Sequence, residues 1–482
     1  MVFNSFHFIA FFIAVVILYY ILPQRLRWAL LLTASYYFYM QWKAELILLI
    51  VFTTFTNYVF SLRVYNAKNP KKKKLYLRIN LIINFGLLFI FKYLMFITQS
   101  VLGVYSLISG TPASSGLNLI LPMGISFYTF QAAAYSIDVY RGRIKPERHF
   151  GIFSLFITFF PQLVAGPIER SGDLLPQFYE KHPFRGENLL SGAKIMLWGF
   201  FKKVVIADRL AVAVNSVYNS PGSHEGLAFI LASVFFAFQI YCDFSGYSDI
   251  AMGAARILGF RLSKNFENPY LSGSVREFWK RWHITLSSWF MDYLYIPIGG
   301  KGKSFVEKCR NLLVTFLVSG LWHGANWTFV IWGAFHGACQ IAELSLKRAG
   351  ITLGKSAPGR VLGVIITFIL VVFGWIFFRA NTVGDAFYII GSLGTGLSEA
   401  GSLQYLYGTL TGMGLGLAEL AAVLCALLIL VISELCCGRR TVFEVMEKAP
   451  YAARLSYYLL IALAIMLSGV FYEAGEFIYF QF

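Results

Sequence analysis

Apolar runs separated by short polar or basic connectors recur from one end of the chain to the other. A helix that crosses a bilayer needs ~20 such residues, and fewer where it is covered by neighbours. The first run covers residues 6–22 and is followed by Arg25 and Arg27. The next, 28–62, is interrupted by polar residues at 41–45, which predicts two crossings rather than one. After Arg63 comes the most basic connector, 68–78, which includes Lys71, Lys72, Lys73 and Lys74. Two further runs, 79–98 and 119–139, lead to Arg141, Arg143, Lys145 and Arg148. With the N-terminus outside, all three basic connectors fall on one face, as the positive-inside rule requires.

Beyond residue 150 the runs are less clean. Apolar helices are expected near 151–164, 192–206, 227–258, 311–321, 327–344, 361–378, 415–432 and 455–471. Lys347, Arg348, Lys355 and Arg360, and later Arg439 and Arg440, fit the same face as the earlier basic connectors. The fold class is therefore an all-α polytopic integral membrane protein with about eleven to thirteen membrane segments, some of them re-entrant or interfacial. No 20–50-residue repeat, soluble domain or long linker interrupts it.

Composition agrees. Of 482 residues, 57% are hydrophobic and only 13% charged, against ~25% charged in an ordinary soluble domain. The 47 Phe, 28 Tyr and 10 Trp also exclude a disordered chain. The net charge of +17 would suggest nucleic acid in a soluble protein. Here the basic residues sit in connectors and report topology, so no nucleic-acid partner is expected. The six Cys are scattered without a C-x-x-C pair, which gives neither a disulfide framework nor a zinc site. The N-terminal run has no basic n-region and no A-x-A site, and reads as a first span rather than a signal peptide.

An ionisable group in a bilayer costs ~2.5–3.5 kcal/mol on insertion scales, so its presence there is a functional hint. Such groups concentrate between residues 239 and 336. In QIYCDFSGYSDIAMG, Asp243 and Tyr247 are four apart, as are Ser245 and Asp249, so two polar pairs can form along one helix side. These residues suit a scaffold and an active-site wall equally. Next comes a segment broken by Pro269 and Gly273, followed by Arg276, Glu277, Trp279, Lys280 and Arg281, which reads as interfacial. His283 follows it directly. In SGLWHGANW, His323 lies between Gly320 and Gly324 and is flanked by Trp322 and Asn326. Glycines allow close backbone approach, and a histidine held there can serve as a general base. His336, thirteen positions on, is off that helical face and reads as a supporting residue. There is no H-E-x-x-H and no G-x-S-x-G, and the P-loop-like end at Gly302, Lys303 and Ser304 lacks its earlier glycine. No metal site is expected.

Five blocks carry a family resemblance: PMGISFYTFQAAAYSIDVYRG at 122–142, PQLVAGPIER at 161–170, DFSGYSDIAMG at 243–253, ENPYLSGSVREFWKRWHITLSSWF at 267–290 and SGLWHGANW at 319–327. Together they resemble the membrane-bound O-acyltransferases (MBOAT), and most nearly the bacterial branch with the membrane subunit of alginate O-acetylation and the D-alanyl transferase of teichoic acids. The resemblance implies one transmembrane domain over 1–482, with N-terminal spans in 1–118, a catalytic core in 119–345 and C-terminal spans in 346–482. It implies a multi-pass protein of the bacterial cytoplasmic (inner) membrane, surrounded by lipid. A thinned, funnel-shaped helical ring would let an inner donor and an outer acceptor meet.

The implied reaction moves an acyl group, most simply acetyl, from a cytoplasmic thioester to hydroxyls of an extracytoplasmic polysaccharide. The resemblance assigns catalysis to His323 as general base and to His283 as its second histidine, with His283 or a backbone N–H serving the oxyanion. Asp243, Tyr247, Trp279, Lys280, Arg281, Trp322 and Asn326 are substrate-binding candidates, with the basic segment meeting donor phosphates. No tightly bound cofactor is implied; acetyl-CoA or another acyl thioester is the donor substrate, and a separate extracytoplasmic acetyltransferase-like protein is the expected partner. The alternatives are D-alanyl transfer to teichoic acid from an aminoacyl carrier protein and a membrane transporter without acyl chemistry.

Overall fold

A computed structural model describes the chain except residues 2, 113–115, 118, 303, 352–355, 439, 472–476 and 479–482. Lys303, Lys355 and Arg439 thus lie outside the described residues. The described residues form helices and turns without a strand. They divide into two compact units, one of Met1–Gly192 with Ala251–Ser263 and one of Ala193–Ile250 with Lys264–Phe482.

The first unit opens with α1 (Phe6–Ile21), whose first turn is capped by the Ser5 hydroxyl accepting from the Phe8 amide at 3.1 Å. Pro23 stops that helix, and α2 (Gln24–Met40) and α3 (Ile47–Asn66) follow on either side of the expected break at 41–45. α4 (Pro70–Leu88) begins earlier than the apolar pattern suggests. Asn69 caps it, its side-chain oxygen accepting from the Lys71 amide at 2.8 Å, and Pro70 fits the first turn. The four lysines therefore lie in a helical turn rather than in a connector. α4 runs through a π-type widening at Phe89–Tyr93 into α5 (Leu94–Ser109). α6 (Ile125–Arg141) is buried along almost its whole length and is followed by α7 (Phe150–Thr158) and the single turn α8 (Ser171–Leu174). Buried polar groups in α3, α4 and α6 satisfy one another: Asn57 donates to Asn84 at 2.7 Å, Asn80 to Asn57 at 2.9 Å, and Asn80 to Ser136 at 2.8 Å. Such a network replaces the water lost on burial and fixes how the three helices meet.

α9 (Gly186–Phe200) starts in the first unit and, in the second, passes through a π-type widening at Phe201–Ala207 into α10 (Asp208–Asn219). The 32-residue α11 (Gly226–Ile257), whose end from Ala251 on belongs to the first unit, follows, then the short α12 (Val275–Arg281) and α13 (Ile284–Phe290). α14 (Phe305–His323), α15 (Trp327–Arg348) and α16 (Ala357–Arg379) come next, and then α17 (Val383–Gly391) and α18 (Leu403–Gly412). The unit closes with α19 (Leu417–Cys437), the short α20 (Val442–Met446) and α21 (Tyr451–Ser468).

Among the described residues, seven helices are long and apolar enough to cross a bilayer: Ala44–Asn66, Pro70–Ser109, Gly226–Ile257, Trp327–Arg348, Ala357–Arg379, Leu417–Cys437 and Tyr451–Ser468. The protein is thus a multi-pass membrane protein. The expected count of crossings is larger because it includes helices that are short or clad by protein, such as α1 with 16 residues and the buried α6 with 17. α14 is long enough, but its first turns carry Glu307, Lys308 and Arg310.

Glycines set how closely α14 and α15 approach. A Cβ on Gly320 would stand 2.2 Å from the Phe329 carbonyl oxygen, and one on Gly333 would stand 2.3 Å from that of Phe316. Both obstacles are backbone, which cannot swing aside. We expect Gly320→Ala to destabilise the protein by ~1–3 kcal/mol, the usual cost of overpacking. Thermal unfolding in detergent measures this, and an unchanged midpoint would refute the tight contact.

Candidate active site

His323 is the last residue of α14, and Gly324 turns the chain out of the helix. A side chain on Gly324 would collide with the Phe329 ring, a Cβ there standing 2.1 Å from Cε2. The two glycines of the block thus bring the helix end and the start of α15 together with His323 between them. The histidine is 3% exposed. Its ring lies against three aromatic groups, with centroid distances of 4.9 Å to Trp322, 5.0 Å to Trp332 and 5.5 Å to Phe378. Trp332 in turn stacks on Trp375 at 5.9 Å. A histidine with aromatic walls suits proton transfer, because little water competes for the reacting hydroxyl.

His283 occupies the junction of α12 and α13 in a left-handed conformation, φ 46°. Two backbone bonds frame it, from the Ile284 amide to the Asn265 carbonyl and from the Glu267 amide to the Arg281 carbonyl, both 2.9 Å. Its Nδ1 is 3.0 Å from Asn265 Oδ1, and Phe244 meets its ring edge-on at 4.6 Å. Burial pushes its pKa down to about 3, so the imidazole is neutral near pH 7. Trp322 is a neighbour of both histidines, 6.1 Å from the His283 ring.

His336 is fixed differently. Its Nδ1 accepts from Trp279 Nε1 at 3.3 Å, its ring centroid is 5.0 Å from that of Trp332, and a Cβ on Gly374 would stand 2.8 Å from its Nε2. It therefore buttresses Trp279 and Trp332, the second of which faces His323. Among the described residues, no three His, Cys, Asp or Glu side chains come together as a metal site.

The family model for the membrane-bound O-acyltransferases matches residues 31–382. The chain belongs to that family. It is 41% identical over 389 residues to "Probable alginate O-acetylase AlgI" of Pseudomonas aeruginosa, covering 80% of this chain and 73% of the relative. It is 35% identical over 386 residues to "Peptidoglycan O-acetyltransferase" of Helicobacter pylori, covering 75% and 72%. With "Teichoic acid D-alanyltransferase" of Streptococcus thermophilus the identity is 29% over 301 residues, covering 56% and 72%. The protein is thus an O-acyltransferase, which removes the transporter alternative.

Within this MBOAT protein the other candidate residues separate into distinct settings. Arg281 is buried, pairs with Glu277 and donates to the Asn268 carbonyl at 3.4 Å. Its guanidinium is held inside the fold by its carboxylate partner, whereas its basic neighbours are not. Lys280 and Arg276 are exposed beside it. Trp279 is buried against Trp332 and His336. The Asn326 side chain caps α15, accepting from the Thr328 amide at 3.2 Å and donating to the Asn381 carbonyl at 3.0 Å. Its amide positions the turn after His323.

The polar residues of α11 find their partners mainly outside the helix. Asp243 accepts from Lys203 at 2.8 Å and from the Ile478 amide at 2.9 Å. Ser245 and Asp249 do share a bond, but through Lys202, whose Nζ is 2.9 Å from the hydroxyl and 2.7 Å from the carboxylate. Tyr247 packs against Phe477 at 5.0 Å. Both lysines come from the π-type widening after α9. The two helices can meet because Gly199 and Gly246 face each other, each lacking a Cβ that would stand 2.7 or 2.8 Å from the other's carbonyl. Lys202, Lys203 and Asn265 are absent from the sequence-derived site. For the lysines a signal was present: two adjacent cations inside an apolar run require buried counter-charges. Asn265 offered none, being one polar residue among several in a polar segment.

Proposed function

We propose that this O-acyltransferase moves an acetyl group from a cytoplasmic thioester, acetyl-CoA or an equivalent, to hydroxyls of an extracytoplasmic polysaccharide across a bacterial inner membrane. The observation that carries the reading is His323, buried among aromatic rings at a helix end made by two glycines. In the reaction the acceptor oxygen bonds to the thioester carbon while His323 takes the hydroxyl proton. Collapse of the tetrahedral intermediate breaks the C–S bond, and the proton passes to the leaving sulfur. Acetyl is favoured over D-alanyl because the alginate-type relatives match at higher identity and over more of this chain than the teichoic acid enzymes. The family resemblance also implies an extracytoplasmic acetyltransferase-like partner; where that partner hands the group on, the hydroxyl that gives its proton to His323 is the partner's and the polymer is the final acceptor.

The test is the ester itself. Base-labile acetate on envelope and secreted polysaccharide should disappear in cells lacking the protein, and the fraction that loses it identifies the acceptor. Loss of D-alanine instead would replace the acetyl reading with the aminoacyl one.

The exposed pair Arg276 and Lys280 suits the donor's phosphates, since surface charges act by weak, screened attraction. Changing both to Gln is expected to raise KM for a CoA thioester several-fold, roughly 1 kcal/mol in total, with kcat nearly unchanged and a weaker dependence on salt. Identical KM values at low ionic strength would show that these residues only anchor the surface.

A further inference from the structure

We propose that Asn265 is a positioning residue that fixes the proton of His283 on Nδ1, so that Nε2 holds a lone pair and accepts a hydrogen bond from substrate instead of giving one. The proposal rests on the acyl-transfer reading for its functional half, while the tautomer itself is independent of that reading.

The argument begins with an atom whose role is fixed. The backbone N–H of Thr285 can only donate, and it lies 3.3 Å from Asn265 Oδ1. The atom facing it must therefore be the amide's oxygen and not its nitrogen, which removes the usual ambiguity of an asparagine side chain. The Thr285 hydroxyl points to the same oxygen at 3.0 Å. An amide oxygen can only accept, so His283 Nδ1, 3.0 Å away, must donate. A neutral imidazole has one ring proton, and with that proton on Nδ1 the other nitrogen is an acceptor. Burial keeps the doubly protonated form out of reach near neutral pH.

The surroundings hold this arrangement. Asn265 is fully buried, its carbonyl takes the Ile284 amide at 2.9 Å, and its side-chain nitrogen reaches Ser248 Oγ at 3.5 Å. His283 stands in a left-handed backbone conformation at φ 46°, one that a residue with a Cβ rarely adopts and keeps only where neighbouring contacts over-determine it. The same reasoning applied to His336 gives the opposite answer: Trp279 Nε1–H donates to its Nδ1, so its proton is on Nε2. Each histidine's tautomer is thus set by its own partner.

The consequence concerns the oxyanion. A neutral His283 of this tautomer offers no Nε2–H, so the developing negative charge on the thioester oxygen must be met by another donor. His283 instead receives an X–H group: a hydroxyl of the acceptor other than the one that reacts, or an amide N–H of the donor's pantetheine arm. No bond to carbon or sulfur changes at this residue, and the transferred proton stays with His323.

The experiment uses the full-length protein in lipid nanodiscs with ¹⁵N-labelled histidine, the His283 signals being assigned from their loss in His283→Asn. The expected wild-type spectrum has protonated Nδ1 and unprotonated Nε2 at His283. Asn265→Asp preserves the acceptor and should retain both the tautomer and ester formation within about tenfold of wild type. Asn265→Leu removes it; the tautomers should then mix, and ester per folded protein should fall ~10²-fold or more, as when a catalytic histidine loses the partner that sets its tautomer. A protonated Nε2 in the wild type would overturn the proposal, and so would full activity with mixed tautomers in Asn265→Leu. Coenzyme A shifting the Nε2 signal assigns the bonded group to the pantetheine arm, and a shift with an alginate oligosaccharide alone assigns it to the acceptor. No shift with either overturns the accepting role. An Nδ1–H signal in a protein whose cells carry no ester leaves the tautomer standing and defeats the acyl-transfer reading instead.

Discussion

Replacing His323 with alanine is expected to bring polysaccharide-bound ester down to the level of cells lacking the protein, at equal amounts of folded enzyme. A positioned general base contributes ~10²–10⁴-fold, and the aromatic walls of Trp322, Trp332 and Phe378 leave little room for bulk water to take over the task. Folding should be spared, because an alanine at the last residue of α14 creates no clash and Gly324 still ends the helix. Base-labile acetate, normalised to protein recovered in detergent, is the measurement. A residual rate near wild type would remove His323 from the chemistry.

The second large effect is on stability. Lys203 Nζ is 2.9 Å from Asp208 and 2.8 Å from Asp243, with all three side chains nearly excluded from solvent. Removing the lysine alone leaves two buried carboxylates facing each other without their cation. Breaking a buried pair in this way costs ~3–5 kcal/mol, although the intact pair adds little over an apolar replacement. Lys203→Met should therefore sharply lower the thermal midpoint and the yield of monodisperse protein. Adding Asp208→Asn and Asp243→Asn should restore much of the loss, since the stranded charges are then gone. A Lys203→Met protein with a midpoint close to wild type would refute the network's role.

These two residues show how differently the sequence discloses its parts. His323 was legible because its whole setting is local: two glycines, a tryptophan and a capping asparagine within nine positions of one apolar run. The helices were legible for the same reason. α2 and α3 part where polar residues interrupt the run at 41–45, and α11, α15 and α16 match their apolar stretches to within a few residues. Where the reading of α4 failed, the basic residues themselves misled, since lysines mark a connector and also make good helix turns behind an Asn-Pro start.

The sequence by itself determined an all-helical membrane protein, where its helices break, and which histidine stands at a glycine-bounded helix end. Those properties follow from hydropathy, backbone freedom and capping, which act over a few residues. Only the tertiary structure decided that Lys203 belongs to Asp208 and Asp243, that Arg281 is buried against Glu277, and that Asn265 reaches His283 from 18 positions away. Partners of this kind depend on which helix faces meet and how closely glycines let them approach. A buried charge announces that it needs a partner, but the packing of the helices chooses which one.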